Sequence, residues 1–169
     1  MEHEEVIIDD SFNVELTVFD LSNNQIKAIN TPLFTSKFKY FELVNLSYNR
    51  LTQIPYQFLF SSQIETLDLS NNNIKNMMII KQPANNEWND IKTLNLSNNP
   101  ITSWDNSISQ LPYLRKLDLS NTFIKFIPFE FLKDMPQLKV LVLKNTKIPK
   151  NQLEILEENL KEYSIEVLY

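Results

Sequence analysis

The chain contains no cysteine, no glycine and a single histidine among its 169 residues. Without cysteine it cannot form the disulfides that seal many small secreted domains. Without glycine it has no Gly-rich phosphate loop, and backbone positions with positive φ fall to Asn or Asp. Because His3 is the only imidazole, no Ser–His or Cys–His pair can form elsewhere. We therefore predict no catalytic residues, no metal and no cofactor.

Positive charge is also in short supply, with 16 Lys and Arg against 21 Asp and Glu and a net charge of -5. A chain of this charge is a poor match for a polyanion, so we expect no direct nucleic-acid partner. No apolar run approaches the roughly 18 residues needed to span a membrane, so no membrane contact is expected. The N-terminal segment lacks the apolar core of a signal peptide. These features predict a cytoplasmic location, with the nucleus and signal-independent secretion left open.

What the chain does have is a recurring L-x-x-L-x-L-x-x-N-x-L pattern, seen most clearly from Ile64 to Ile74. In the L-x-L part of a strand, alternate side chains point to one side. A single copy cannot bury that side, but stacked copies can, as parallel strands about 4.8 Å apart. Successive copies begin 25, 23, 27, 23 and 24 residues apart, at Leu16, Phe41, Ile64, Ile91, Leu114 and Leu138.

The pattern and its length resemble the leucine-rich repeat family, of the intracellular type without cysteine caps. The resemblance implies an α/β solenoid: a right-handed curved stack with an inner parallel sheet and short helices or 3-10 turns outside. We expect one domain over residues 1–169, with an N-terminal cap (1–15, including a strand at 6–8), six repeats (16–148) and a C-terminal cap (149–169). In this last cap, Asn151 is predicted as the N-cap of a helix, and residues 164–169 as a seventh strand. The long third copy has extra residues at 77–90, interpreted as a surface insertion or a binding loop.

The ninth position of each copy is predicted to hold the turn that follows the strand. An asparagine amide there can satisfy backbone groups that the turn would leave unpaired, whereas a hydroxyl offers fewer hydrogen-bonding sites. We therefore expect an internal ladder that weakens in the last two copies. Its members are Asn24, Asn49, Asn72, Asn99, Thr122 and Thr146. On the outer side we predict a helix near 128–134 and a buried column of Phe34, Phe58, Ile108 and Phe131, with Trp88 and Trp104 also in the core.

The second, third, fifth, seventh and eighth positions of each copy point away from the buried side and define an inner face. Its second positions change from acidic to basic along the stack, which can orient a partner of opposite polarity. Leu43 and Tyr48 add an apolar pair, since Tyr48 replaces an asparagine of other copies. Ordinary surface charge, and mutual cover of Leu43 and Tyr48, are the competing interpretations. The predicted partner-binding residues are Glu42, Leu43, Tyr48, Glu65, Asp68, Lys92, Asn95, Arg115, Asp118, Lys139, Val140 and Val142.

Family resemblance implies recognition of a protein partner, whose identity the sequence does not give. We predict a non-catalytic interaction module, acting as an adaptor or accessory subunit and monomeric as an isolated chain. Two alternatives remain open. One is a permanent structural subunit of a large assembly, and the other is a regulatory subunit that binds and controls an enzyme such as a phosphatase.

Overall fold

Seven short strands form a parallel sheet in the computed structural model, which describes residues 18–29, 41–55, 58, 64–79 and 90–169. Each strand pairs with the next one along the chain. Equivalent repeat positions lie opposite each other, as in the row Leu67, Leu94 and Leu117. This arrangement is the predicted leucine-rich repeat solenoid. The strands are β1 (Val18–Asp20), β2 (Phe41–Asn45), β3 (Ile64–Asp68), β4 (Thr93–Asn95), β5 (Lys116–Asp118), β6 (Val140–Val142) and β7 (Glu166–Leu168).

The core lies on one side of this sheet, as the period of two in the pattern requires. In β2 and β3 the first and fourth residues are buried, the second is exposed, and the third and fifth are half-buried. Leu46, Leu69 and Leu96, at the sixth position of their copies, have no exposed surface. One continuous apolar interior therefore runs through the stack, and the opposite face of the sheet stays accessible.

The ninth-position asparagines of copies two, three and four join neighbouring copies, as predicted. Asn72 Oδ1 accepts a hydrogen bond from the Leu51 backbone N–H of the preceding copy at 2.9 Å. Its Nδ2 donates to the carbonyl oxygens of Leu46, Leu69 and Ser70 at 2.9, 3.1 and 3.2 Å. Asn49 and Asn99 make the same set of bonds one copy earlier and one copy later. Asn24, in the first copy, is exposed and donates to the carbonyls of Leu21 and Ser22 within its own turn, so its assignment to the internal part of the ladder was wrong.

The ladder weakens where threonine replaces asparagine, which confirms the expectation for copies five and six. The Thr122 hydroxyl donates to the Leu119 carbonyl at 2.7 Å, within its own copy. The Thr146 hydroxyl is buried and has no hydrogen-bond partner among the described residues. A threonine side chain is shorter than that of asparagine and its hydroxyl has one donor, so it does not reach the neighbouring copy.

A 3-10 helix (Asn106–Gln110) and a one-turn helix, α1 (Phe129–Leu132), lie on the outer side, the latter where a helix was predicted. Phe58 and Ile108 are fully buried, as expected of the outer column. Phe131 was assigned to this column wrongly: it is half-buried, and Leu132 occupies the core at 1% exposure. The helix begins directly after Pro128. The side of its single turn that faces the core therefore carries Leu132, one residue later than the predicted Phe131. Trp104 packs against the core but is only half-buried.

The C-terminal cap consists of helix α2 (Lys150–Leu160), a 3-10 turn (Lys161–Tyr163) and strand β7. Leu153, Leu156 and Leu160 form the predicted buried face of α2. The prediction of Asn151 as N-cap was wrong, because the helix starts earlier. Pro149 holds that position with φ -60° and ψ 143°, and its carbonyl accepts the Leu153 N–H at 3.1 Å. The chain then turns at Ser164, in the left-handed region, and β7 pairs with β6 as the expected seventh strand.

Several predictions concern residues outside those described. These are the N-terminal cap with its strand at 6–8, the start of the first copy at Leu16, and the core assignments of Phe34 and Trp88. Of the insertion in copy three, residues 80–89 also lie outside. At its start, Met77 and Ile79 are buried, and Met78 between them is half exposed at 50%.

Candidate partner-binding surface

The second-position row of the inner face is exposed and is held at the spacing of the sheet. The backbone N–H of Lys92 donates to the Glu65 carbonyl, that of Arg115 to the Lys92 carbonyl, and that of Lys139 to the Arg115 carbonyl, each at 2.8 Å. Glu42, Glu65, Arg115 and Lys139 are exposed and Lys92 is half-buried. The predicted change from acidic to basic side chains therefore lies on one accessible row of neighbouring strands.

An ion pair marks the point where the charge of this row changes sign. The Lys92 ammonium contacts the Glu65 carboxylate, with both side chains partly exposed. Beyond this pair, Arg115, Lys116 and Lys139 are exposed and make no ion pair with any described residue. The basic stretch covers β5 and β6 and is followed on β7 by the exposed Glu166, opposite Val140. Like charges on adjacent strands repel, so the stretch formed by Arg115, Lys116 and Lys139 favours an acidic group.

The fifth-position side chains have a structural contact that the sequence analysis missed. Asp68 Oδ1 accepts the Ser70 N–H at 2.8 Å, and Asp118 Oδ1 accepts both the N–H and the hydroxyl of Ser120, at 2.9 and 2.6 Å. Asn95 Nδ2 also donates to Asp68 Oδ2 at 3.3 Å, across the two strands. The recurring Asp/Asn-x-Ser spacing was the available signal, because such side chains bond the backbone two residues on. Asp68, Asn95 and Asp118 thus stabilise the turn beside the inner face. Their side chains are already hydrogen-bonded within the chain when a partner binds.

The same contact in the first copy affects a titration. The Ser22 backbone N–H donates to Asp20 Oδ1 at 2.8 Å and lowers the pKa of that carboxyl from its ordinary value. The Ser22 hydroxyl and the Asn45 amide act in the same direction. Asp20 therefore stays ionised at a lower pH than a free aspartate.

Tyr48 occupies an unusual backbone position at the edge of the inner face. Its φ is 54°, in the left-handed region, and its side chain is 57% exposed. Leu43, on the same copy, is half-buried. The eighth position has a φ between 55° and 57° in the other copies too, and there the residues are Asn23, Asn71, Asn98, Asn121 and Asn145. A bulky side chain in this region is uncommon, whereas asparagine tolerates it.

The valines at the C-terminal end do not form the predicted exposed patch. Val140 is half-buried, but Val142 is 6% exposed, so the prediction that Val142 faces a partner was wrong. Val142 lies between Asp118 of β5 and Leu168 of β7 in the sheet register. The added seventh strand places an apolar residue beside it, which explains why an outward position is covered.

Comparisons with known proteins agree with this geometry. A leucine-rich repeat family model matches residues 14–74, and a model for two leucine-rich repeat copies matches residues 89–130. This chain is a leucine-rich repeat protein. The repeats that its six-copy pattern marks are thus recognised over most of their length, and members of the family are generally protein-interaction modules.

Relatives of this leucine-rich repeat protein are much longer. It is 32% identical over 117 residues to receptor-like protein EIX1 of Solanum lycopersicum, covering 67% of this chain and 11% of that protein. It is 30% identical over 137 residues to the transforming growth factor beta activator LRRC33 of Danio rerio, covering 78% of this chain and 20% of the relative. The match therefore concerns the repeats and extends over a small part of each relative.

Solved structures show the same fold. The leucine-rich repeat protein LIC12759 of Leptospira interrogans superposes with a TM-score of 0.70 at 22% identity, covering 90% of this chain and 36% of that one. The functional domain of InlJ from Listeria monocytogenes superposes with a TM-score of 0.58 at 20% identity, covering 98% of this chain and 31% of that one. At these identities the similarity establishes the solenoid.

Two further features are absent from the described residues. Within them, no three or more His, Cys, Asp and Glu side chains come together in a way that could hold a metal ion. Within the same residues, the helices are too short or too polar to cross a bilayer.

Proposed function

We propose that this leucine-rich repeat protein is a non-catalytic binding module whose inner face holds a protein partner, as an adaptor or accessory subunit. Tyr48 is the observation that carries the proposal. A left-handed backbone costs a bulky residue on the order of 1 kcal/mol or more, and the eighth position of the other copies avoids this cost with asparagine. The Tyr48 hydroxyl makes no hydrogen bond with the described residues, so no such bond offsets the cost of the left-handed backbone. An exposed aromatic side chain on a strained backbone is best explained by a partner that contacts the side chain.

The charges of the inner face support a direction for that partner. Its apolar contact lies at Leu43 and Tyr48, in copy two. An acidic stretch of the partner lies over Arg115, Lys116 and Lys139, which no described acid neutralises. The Glu65–Lys92 ion pair separates these two regions. Complementary charge of this kind sets the orientation and raises the association rate more than it raises affinity.

The repeats provide substitutions for testing the inner face without damaging the fold. Tyr48→Asn installs the residue of the other copies at the eighth position, and Leu43→Thr installs the residue that copies three and four have at the third. Relief of the left-handed tyrosine should make Tyr48→Asn about 1 kcal/mol more stable in urea unfolding. In affinity capture from native extract, followed by mass spectrometry, the double variant should lose the proteins that the original chain retains.

A matched control is Lys125→Thr, which installs the residue of copies two and four at an exposed position outside the inner face. It should leave capture unchanged. If the double variant is at least as stable as the original chain and still captures the same proteins, the inner-face proposal fails. Gel filtration of native extract distinguishes the two modes of action: elution near 20 kDa supports a separable adaptor, and co-migration with a very large particle supports a permanent subunit.

A cytoplasmic location is also part of the proposal, and the absence of cysteine supports it, since secreted repeat domains are commonly disulfide-bonded. One relative is named a receptor-like protein, which makes the location worth measuring directly. Fractionation of cells expressing the native protein should place it with cytosolic markers. Recovery with membranes or in the medium would contradict this location without affecting the inner-face proposal.

A further inference from the structure

A second surface lies away from the inner face, between helices α1 and α2. A cavity of about 290 Å³ opens between these helices. Six of its lining residues are apolar and large, among them Phe126 and Ile155, which are 60% and 59% exposed. The cavity is lined by Phe126, Ile127, Phe129, Glu130, Ile148, Gln152, Ile155, Leu156 and Asn159. We call this surface the α1–α2 groove.

Comparison with the other copies shows that Phe126 is not required by the repeat. It occupies the thirteenth position, where copies one to four have Ala28, Gln53, Asn76 and Ser103. The described structure leaves its ring exposed, whereas Ile127 beside it is buried at 5%. An aromatic ring in a position that is otherwise small or polar, and outside the core, contributes little to the stack and points to another use.

Ile155 is a second exposed apolar residue at this cavity that the core of the chain does not require. Helix α2 needs one apolar face for the core, and Leu153, Leu156 and Leu160 provide it. Ile155 lies off that face and is exposed, yet it lines the same cavity as Phe126. The cavity is therefore flanked by exposed apolar side chains on both sides, one from copy five and one from the cap.

The charge of the groove indicates what can occupy it. Glu130 is its single charged lining residue, and it is exposed and makes no ion pair with any described residue. Glu154 and Glu158 of the adjacent helix are paired with Lys150 and Lys161. The neighbouring Lys133 lies over the rings of Phe129 and Tyr163, at 4.7 and 5.6 Å from their centres. Among the lining residues the uncompensated charge is therefore one carboxylate, which complements a cation.

From these observations we propose that the α1–α2 groove binds a short amphipathic helix of a protein partner, with large apolar side chains entering between Phe126 and Ile155 and a lysine or arginine reaching Glu130. We assign a helix as the occupant because an amphipathic helix presents apolar side chains at i, i+3 and i+4 on one side, which is how such a helix enters an apolar groove. This surface is separate from the inner face, so the two sites can be occupied independently.

The probes are two fluorescent peptides of about 20 residues, above the ~12–15 residues below which an isolated helix is marginal in water. Both carry leucine at i, i+3, i+4 and i+7; one has lysine on its polar face and the other has glutamate. Anisotropy titrations use the full chain at about 0.15 M salt, where long-range attraction is screened. The lysine peptide should bind at least about tenfold more tightly than the glutamate peptide.

The variants separate the groove from general charge attraction. Phe126→Ser, which uses the residue of copy four, should weaken binding of the lysine peptide at least about tenfold. Glu130→Lys should weaken the lysine peptide and strengthen the glutamate peptide. Glu42→Lys makes the same change of charge on the inner face and should alter either affinity less than about twofold. Ile155→Asn is a second apolar test should Phe126→Ser lower the melting temperature.

The proposal is overturned if the lysine peptide does not bind, or if both apolar variants bind it as the original chain does. It is also overturned if Glu42→Lys changes affinity as much as Glu130→Lys, because attraction would then come from the net charge of -5. Tyr48→Asn should leave peptide binding unchanged, so the groove and the inner face can fail or succeed separately.

Discussion

In copies two, three and four the ninth-position asparagine bonds backbone groups of two copies at once, whereas copies five and six have a threonine there. Asn49, Asn72 and Asn99 each join their own turn to the preceding copy. Thr122 bonds only its own turn. Both regions nevertheless keep the same strand spacing and the same sheet register. The parallel strands and the buried leucines are therefore sufficient for the fold, and the asparagine amides add hydrogen bonds between neighbouring copies.

The two threonine copies are supported instead by the C-terminal cap. Strand β7 pairs with β6, and the Leu143 N–H of copy six donates to the Leu168 carbonyl at 2.7 Å. Helix α2 adds three buried leucines against the end of the stack. The middle of this solenoid is thus stabilised by asparagine hydrogen bonds between neighbouring copies, and its C-terminal end is stabilised by the C-terminal cap. Nearest-neighbour coupling of this kind is what decides the stability of repeat proteins.

Removal of the cap should have the largest effect on this comparison. Deletion of residues 150–169 exposes the edge of β6 and takes away Leu153, Leu156, Leu160, Ile165 and Val167, all buried. At about 1.5–3 kcal/mol for each buried side chain, the loss rivals the ~5–15 kcal/mol that stabilises a whole domain. We expect low solubility and a lower melting temperature. In hydrogen exchange, amides of copies five and six should lose protection before those of copies two to four.

Two outcomes of the deletion would contradict this difference between the middle and the C-terminal end of the stack. An unchanged melting temperature would mean that the cap does not support the threonine copies. Equal loss of protection along the whole stack would mean that the asparagine bonds do not make the middle more resistant. A suitable control is the exposed substitution Glu162→Gln in the full chain, which should leave the exchange pattern as it was.

The second prediction concerns the middle of the stack. Asn72→Ala removes one acceptor and one amide donor that together satisfy Leu51 N–H and three carbonyls. An unsatisfied buried polar group costs about 1–3 kcal/mol, so we expect the free energy of unfolding to fall by about 3 kcal/mol. Thr122→Ala, the matched change in copy five, should cost only about 1 kcal/mol. Urea unfolding of both variants measures the difference, and equal losses would show that the bonds between copies contribute nothing measurable.

The regular period explains which features the sequence could predict. Six copies fix the strand positions, the buried leucines and the ladder, because a side-chain period of two leaves one face of a parallel stack to bury. The use of asparagine for positive φ also followed from the absence of glycine. Within the repeats Tyr48 is the exception, and Ser164 is a second one in the C-terminal cap. The replacement of asparagine by Tyr48 was visible in the pattern, although its backbone angle was not.

Features set by contacts between elements were harder to predict. Phe131 and Leu132 are equally apolar, and which of them faces inward depends on the residue at which α1 begins. Val142 occupies an outward position, but strand β7 brings Leu168 beside it. The sequence located Asp68 on the inner face correctly, but it did not show that the Ser70 N–H already bonds its carboxylate. The α1–α2 groove joins residues from copy five and from the cap, which no period within a single copy can reveal.

The smallest expected effect comes from extending the ladder into copy five. Thr122 is fully buried next to copy four, and an asparagine there could accept the Ile101 N–H and donate to the Leu96 carbonyl, as Asn99 does with Ile74 and Leu69. Each net hydrogen bond contributes about 1 kcal/mol, part of which is lost in fitting a larger side chain. We therefore expect Thr122→Asn to raise the free energy of unfolding by about 1 kcal/mol, measured in urea. Thr122→Val, which keeps the shape and removes the hydroxyl, should lower it by a similar amount. If Thr122→Asn is destabilised instead, the space between copies four and five is too small for an asparagine side chain. Threonine would then be needed at this position because of its size.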